Sequence, residues 1–138
     1  MNKRVILVTG SDGGLGQATA RSFLNESAGN RVWLGVHSNR AHSDRLASEF
    51  ADRCCCLPLD VTQPDAWREA VAEILCADGR LDVLVNNAGR HADGLLATMP
   101  PSAWQTVLAT NLDSVFHGSQ AVLPTMISQR HGRIVNIA

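Results

Sequence analysis

Tyrosine is absent from the 138 residues, and lysine occurs once, at Lys3. Chemistry that needs a tyrosine acid, or a lysine inside the body of the domain, cannot come from these residues. No block of like charge occurs, and the formal net charge is −1, which argues against a nucleic-acid binder. No stretch approaches the ~18 apolar residues of a membrane helix. Lys3 and Arg4 before Val5-Ile6-Leu7-Val8 imitate the start of a signal peptide, but the apolar run is too short and ends in Thr9-Gly10. Cysteines are few and unsuited to metal. Cys54, Cys55 and Cys56 are consecutive, Cys76 stands alone, and no His or Cys pair completes a ligand set. The run reads as a buried strand with cysteine as a small hydrophobe, and the usage fits a reducing cytoplasm.

What is present is a core-forming composition, 45% hydrophobic and 18% charged, in one domain's length spanning residues 1–138. Short apolar runs alternate with longer amphipathic stretches. Strands are expected at Arg4–Thr9, Arg31–Val36, Cys54–Leu59, Leu81–Asn86 and Arg133–Ala138. Helices are expected at Leu15–Glu26, Ser43–Asp52, Pro64–Cys76 and Ser102–Arg130, the last with a break or bend. Thr62 is placed to cap the helix that Pro64 opens, and Ser102 to cap the next; Pro124 should kink the last helix or mark its final turns. Repeated strand–helix–strand order predicts an α/β fold, a doubly wound parallel sheet of the Rossmann type. The chain stops on Ile134-Val135-Asn136-Ile137-Ala138, in what reads as a central strand. The expectation is a sheet truncated after the fifth strand, because such a strand would be left as an apolar edge.

The first strand is followed by Thr9-Gly10-Ser11-Asp12-Gly13-Gly14-Leu15-Gly16 and then by helix. Glycines permit positive-φ turns and close backbone approach to a pyrophosphate, and the helix start offers free N–H groups to the anion. A phosphate-loop NTPase is excluded, since no Gly-Lys-Ser/Thr follows. A hydrolase nucleophile elbow, Gly-x-Ser-x-Gly, is absent too. The second strand ends in Gly35-Val36-His37-Ser38-Asn39-Arg40. It carries no acidic residue to accept from a ribose 2′-hydroxyl, whereas Ser38, Asn39 and Arg40 suit a 2′-phosphate and favour NADP over NAD. Asp12 adds a negative charge near the phosphates.

Three further tracts complete a pattern: Asp60-Val61 after the third strand, Asn86-Asn87-Ala88-Gly89 after the fourth, and Asn111 within Thr110-Asn111-Leu112-Asp113-Ser114. With Thr9-Gly10-x-x-x-Gly14-x-Gly16, in this order and spacing, the sequence resembles the short-chain dehydrogenase/reductase family over essentially its whole length. The resemblance implies an oxidoreductase. Gly10, Ser11, Gly14, Leu15 and Gly16 would line the pyrophosphate and ribose, Asp60 and Val61 would contact the adenine, and Asn87, Ala88 and Gly89 would sit by the cofactor ribose. Asn111 would belong to the catalytic tetrad, its carbonyl holding a relay water and its side chain bending the helix. Without the family, Asn111 reads as a mid-helix polar residue bonded to nearby backbone.

Within the family, Asn86–Leu96 and the tail His131–Ala138 resemble 3-oxoacyl-acyl-carrier-protein reductases. That implies NADPH-dependent reduction of a 3-ketoacyl thioester, in the cytoplasm, by a homo-oligomer. The family's serine is expected just after Ala138, with its tyrosine and lysine later still. No proton donor of that kind lies within these residues, so they should not turn over alone. His91 and His117 are the residues that could stand in, though each reads more simply as solvated or packed. Two readings follow: the N-terminal part of an NADP(H)-dependent reductase, or a truncated, non-catalytic nucleotide-binding or interaction module.

Overall fold

A computed structural model describes residues 3–138. Five parallel strands form one sheet: β1 (Val5–Val8), β2 (Arg31–Val36), β3 (Cys54–Pro58), β4 (Val83–Asn86) and β5 (Arg133–Asn136). Their order is β3-β2-β1-β4-β5, the doubly wound arrangement that the alternating sequence predicts. The crossovers are α1 (Gly14–Glu26), α2 (Ala41–Phe50), α3 (Pro64–Asp78), and the pair α4 (Pro101–Leu108) and α5 (Ser114–Gln129).

Alternation along β1 divides the core. Val5 and Leu7 face one side, with Trp67, Val71 and Ile74 of α3 and Val122 and Met126 of α5. Ile6 and Val8 face the other, with Ala20 and Leu24 of α1 and Leu46 of α2. At the foot of the sheet, Asp82 is fully buried and accepts from Val5 N at 2.8 Å and from Arg80 at 2.6 and 2.8 Å. A buried carboxylate needs such partners to stay charged at tolerable cost; here they tie β4 to β1.

Several local expectations are corrected. Thr62 does not cap α3: its hydroxyl and N–H both go to Asp60 Oδ1, at 2.7 and 3.0 Å, and Gln63 precedes Pro64 without a side-chain cap. Ser102 is the second residue of α4 rather than its cap, because Pro101 itself opens the helix. Pro124 meets its expectation in one form, marking the final turns of α5, which ends at Gln129. The break expected within Ser102–Arg130 is a π-helical turn over Ala109–Asp113, which contains Asn111 and where Ser114 N–H reaches Ala109 O. The cysteine run is a strand, but an edge one: Cys54 is buried and Cys55 and Cys56 only half so. Burial, with the neighbouring thiols adding to it, pushes the Cys54 thiol up to about 12. β5 lies at the opposite edge, with no strand beyond it among the described residues, as expected of a sheet that stops at its fifth strand.

One close approach seats α5 on α3. A Cβ at Gly118 would lie 2.6 Å from Trp67 Cη2 and 3.0 Å from Asn86 Oδ1. The Trp67 indole is fixed by its own bond to Val61 O at 2.9 Å and cannot give way. Gly118→Ala should therefore destabilise the fold by roughly 1–3 kcal/mol through overpacking. Equilibrium urea unfolding measures this; an unchanged midpoint would show that the helix pair shifts freely.

Candidate functional site

In sheet order, β1 is flanked by β2 and β4, and the crossovers reverse direction between β1 and β4. Open α/β sheets hold their ligands at such a point, outside the carboxyl ends of the strands. A cleft of about 1170 Å³ opens there. Gly10, Ser11, Gly14, Leu15, Gly16, Ser38, Asn39, Asp60, Val61, Asn87, Ala88 and Gly89 all line it, brought from four separate loops.

The glycines answer different demands. Gly10 has φ +59°, and a Cβ there would meet Ala88 Cα at 2.7 Å, so the turn after β1 requires glycine. At Gly16 a Cβ would lie 2.3 Å from Gly10 O. Gly14 differs: a Cβ would meet no protein atom within 4 Å. Packing does not demand glycine there, and the open space lies at the first turn of α1, whose N–H groups have no intrahelical acceptor.

Thr9 holds the two halves of the cleft together. Its buried hydroxyl donates to Val85 O at 3.3 Å and accepts from Asn87 N and Ala88 N, each at 3.0 Å. Asn87 Nδ2 returns to Thr9 O and Gly10 O, both at 3.1 Å. Sequence reasoning quoted Thr9 within a motif and missed this role; the signal was a small hydroxyl residue at the end of an otherwise apolar strand. Ser11 is completely buried, and its hydroxyl bonds Gly35 O and Ser43 Oγ at 3.0 Å each. Its side chain thus joins the glycine loop to β2 and α2.

Asp12 is less of a threat to an anion than its charge suggests. Its carboxylate accepts from Ser43 N at 3.0 Å in the first turn of α2 and sits 3.5 Å from His42. Arg40 is also engaged, clasped by Asp44 at 3.0–3.1 Å. Burial works to raise the Asp60 carboxyl, but the Thr62 hydrogen bonds and nearby His37 together hold it below the usual carboxylate range.

Asn111 does not line the cleft. Its amide closes a two-point pair with the backbone of Arg90, donating to Arg90 O and accepting from Arg90 N at 2.8 Å each. It therefore fixes the loop after β4 from within the π-turn. His91 lines the cleft, exposed, with Asp93 4.0 Å away. His117 is not among the lining residues and packs edge-on to Phe116.

Replacing Thr9 with Val would leave the half-buried N–H groups of Asn87 and Ala88 without this acceptor, at a cost of roughly 1–2 kcal/mol. Thr9→Ser should retain most of that stability. Chemical denaturation of both variants decides the point: equal loss in each would mean that the methyl group, not the hydroxyl, is what matters.

A family model described as short chain dehydrogenase matches residues 4–138. The chain is 37% identical over 138 residues to a 3-oxoacyl-[acyl-carrier-protein] reductase, FabG, of Thermotoga maritima, covering 98% of this chain and 55% of that protein. It is 38% identical over 136 residues to nodulation protein G of a Rhizobium species, covering 97% and 54% respectively. A solved short-chain dehydrogenase from Streptomyces avermitilis superposes with a TM-score of 0.91 at 30% identity, over all of this chain and 50% of that one. The chain thus spans about half the length of the curated relatives it matches. The glycine turn, the Asn86–Gly89 tract and Asn111 all lie within the matched residues, and the chain belongs to the short-chain dehydrogenase family.

Proposed function

We propose that these residues form the cofactor-binding part of an NADP(H)-dependent reductase that converts a 3-oxoacyl thioester, carried on an acyl carrier, to the 3-hydroxy product. The observation that carries the cofactor reading is Gly14. It is a glycine that the protein's own packing does not require, at a helix N-terminus facing open cleft. A pyrophosphate needs that combination of backbone approach and unpaired N–H donors. Gly10, Gly16 and Leu15 would border it, Ser11 would fix the loop's shape, and Asp60 and Val61 would flank the adenine. Ser38 and Asn39 would meet a ribose phosphate, and Asn87, Ala88 and Gly89 the second ribose. When bound, the nicotinamide supplies the hydride. Asn111 acts as a positioning residue, through Arg90.

The substrate reading is supported by the relatives named as 3-oxoacyl-acyl-carrier-protein reductases. The proton is another matter. With no tyrosine and with lysine only at Lys3, these residues contain no donor of the family's kind. The alternative reading is a nucleotide-binding module without turnover. Titration of NADPH separates the readings: these residues should bind nucleotide without oxidising it, and NADPH consumption with a 3-oxoacyl thioester should need a tyrosine-bearing remainder. Gly14→Ala should keep or slightly raise the melting temperature, since alanine favours helix. Nucleotide affinity should nonetheless fall by at least about tenfold, roughly 1.4 kcal/mol. Unchanged affinity would remove the pyrophosphate from this loop.

Self-association belongs to the same proposal. Leu112 and Phe116 are exposed four residues apart, and Leu123 and Ile127 continue the stripe along α5, with Trp104 exposed on α4. Such a contiguous apolar face suits a second copy of the chain. Sedimentation should show a concentration-dependent homo-oligomer that Phe116→Asp converts to monomer; a wild-type monomer at all concentrations would refute it. The free thiols and the absence, among the described residues, of any helix long and apolar enough to cross a membrane are compatible with the reducing cytoplasm as its setting.

A further inference from the structure

A second cavity, of about 1110 Å³, opens at the foot of the sheet, at the amino ends of β1, β4 and β5 and away from the cofactor cleft. Lys3 and Arg4 line it from the entry to β1, Arg80 from the turn before β4, and His131 and Arg133 from the entry to β5. These segments are far apart in the sequence, which has no basic run. The fold makes the cluster. Glu26, the last residue of α1, is the one carboxylate among the described lining residues.

The cations differ in what they are free to do. Arg80 is bonded through two nitrogens to Asp82, which is fully buried beneath it, yet 44% of its side chain stays exposed. Arg4 pairs with Glu26 and stacks over Phe23, 5.5 Å from the ring centroid. The charge of each is matched by a carboxylate, but each guanidinium is held in a fixed place at the groove. Lys3, by contrast, has no hydrogen bond or ion pair among the described residues, and Arg133 donates to nothing there but Gly132 O, at 2.8 Å. The groove therefore carries two uncompensated permanent charges in a chain of net charge −1. The C-terminal end of α1, which would repel an anion, is blunted. Arg53 Nη1 donates to Leu24 O, Ser27 O and Asn30 O at 3.0–3.3 Å.

We propose that this groove binds a polyphosphate-class anion, with Lys3 and Arg133 supplying the net charge and Arg4 and Arg80 presenting N–H donors already in position. Guanidinium groups match phosphate oxygens through paired donors, and their fixed placement lowers the ordering cost of binding. None of the described lining residues is Phe or Trp, and the largest apolar one, Val83, is nearly buried. The groove thus offers no stacking platform for a base. Its cations are spread from β1 to β5, which suits several linked phosphoryl groups better than a single carboxylate. The site is separate from the cofactor cleft and does not rest on the reading given to it.

The test is calorimetric titration of the full chain with tripolyphosphate at low and physiological salt. Lys3→Gln and Arg133→Gln should each weaken binding about threefold, and the double variant about tenfold. Both side chains are exposed, so the variants should melt as the wild type does, and the single variants carry the test if the double one does not fold. Arg45→Gln removes an exposed arginine of α2 that lines neither cavity, and should change affinity by less than about twofold. The glycine loop offers phosphates a competing place, so Gly14→Ala is titrated in parallel and should leave the groove's binding intact. Binding that is lost in Gly14→Ala and kept in the double variant would put the anion in the cofactor cleft and overturn the proposal. Equal loss in Arg45→Gln would overturn it too, as diffuse attraction without a site. So would no binding of tripolyphosphate at either salt. Binding of a polyglutamate peptide but not of tripolyphosphate would give the groove to an acidic protein partner instead, and would likewise overturn the phosphate assignment.

Discussion

The structure depends on one hydroxyl. Thr9 sits where β1 runs out of ladder, and its oxygen serves Val85 O, Asn87 N and Ala88 N at once. Parallel strands β1 and β4 are joined through a long crossover path, so nothing local fixes the relative height of their ends. A buried three-way bond does. It stops both strands at one level and turns both chains outward there, and this creates the crevice. Without it, the half-buried N–H groups of Asn87 and Ala88 would lose their acceptor beside an apolar strand, an arrangement that folded proteins avoid. Gly10 completes the junction, because its missing Cβ lets the two turns touch.

From that junction, order is passed outward through side chain–backbone bonds. Asn87 holds the glycine loop, and Gln17 Nε2 donates to Ser11 O. Ser11 ties the loop to β2 and α2, and Asp12 ties it to Ser43. On the far side, Asn111 grips Arg90. These bonds are short in reach and individually modest, about 1 kcal/mol each net. Their value is positional: they leave the first-turn N–H groups of α1 facing a cleft whose shape is fixed before any ligand arrives. Preorganisation of this kind lowers the ordering cost of binding.

Much of this was legible in the sequence, and the reasons are physical. Strands buried on both faces leave short apolar runs bounded by turn residues, and the glycine turn has a spacing that few other loops need. The right-handed crossover rule puts helices on both faces of such a sheet, while the strand order with its reversal between β1 and β4 comes from the structure. What escaped notice were bonds made by small polar residues. Thr62 looked like a helix cap because a hydroxyl before Pro64 has that use, but an aspartate two residues earlier competed for it and won. Asp12 read as a free charge because its partner, Ser43 N, lies 31 residues away. The break in the last helix was legible at Asn111 through the family resemblance; the tertiary pairing with Arg90 that accompanies its π-turn was not. Contacts across such sequence distances leave no periodic trace.

The two edges of the sheet show how position, more than composition, decides exposure. β3 and β5 are as short as β1 and comparably apolar in part, yet β1 is wholly buried while Val135 of β5 is 42% exposed. β1 has a neighbour on each side and helices over both faces; β5 has one neighbour. On the α5 side, the same inequality leaves Phe116 and Ile127 in solvent while Val122 and Met126, on the opposite face of that helix, are buried against the sheet. A helix with an apolar residue on nearly every side is characteristic of one that is covered all round. The sequence of α5 is therefore matched to more contact than this sheet provides.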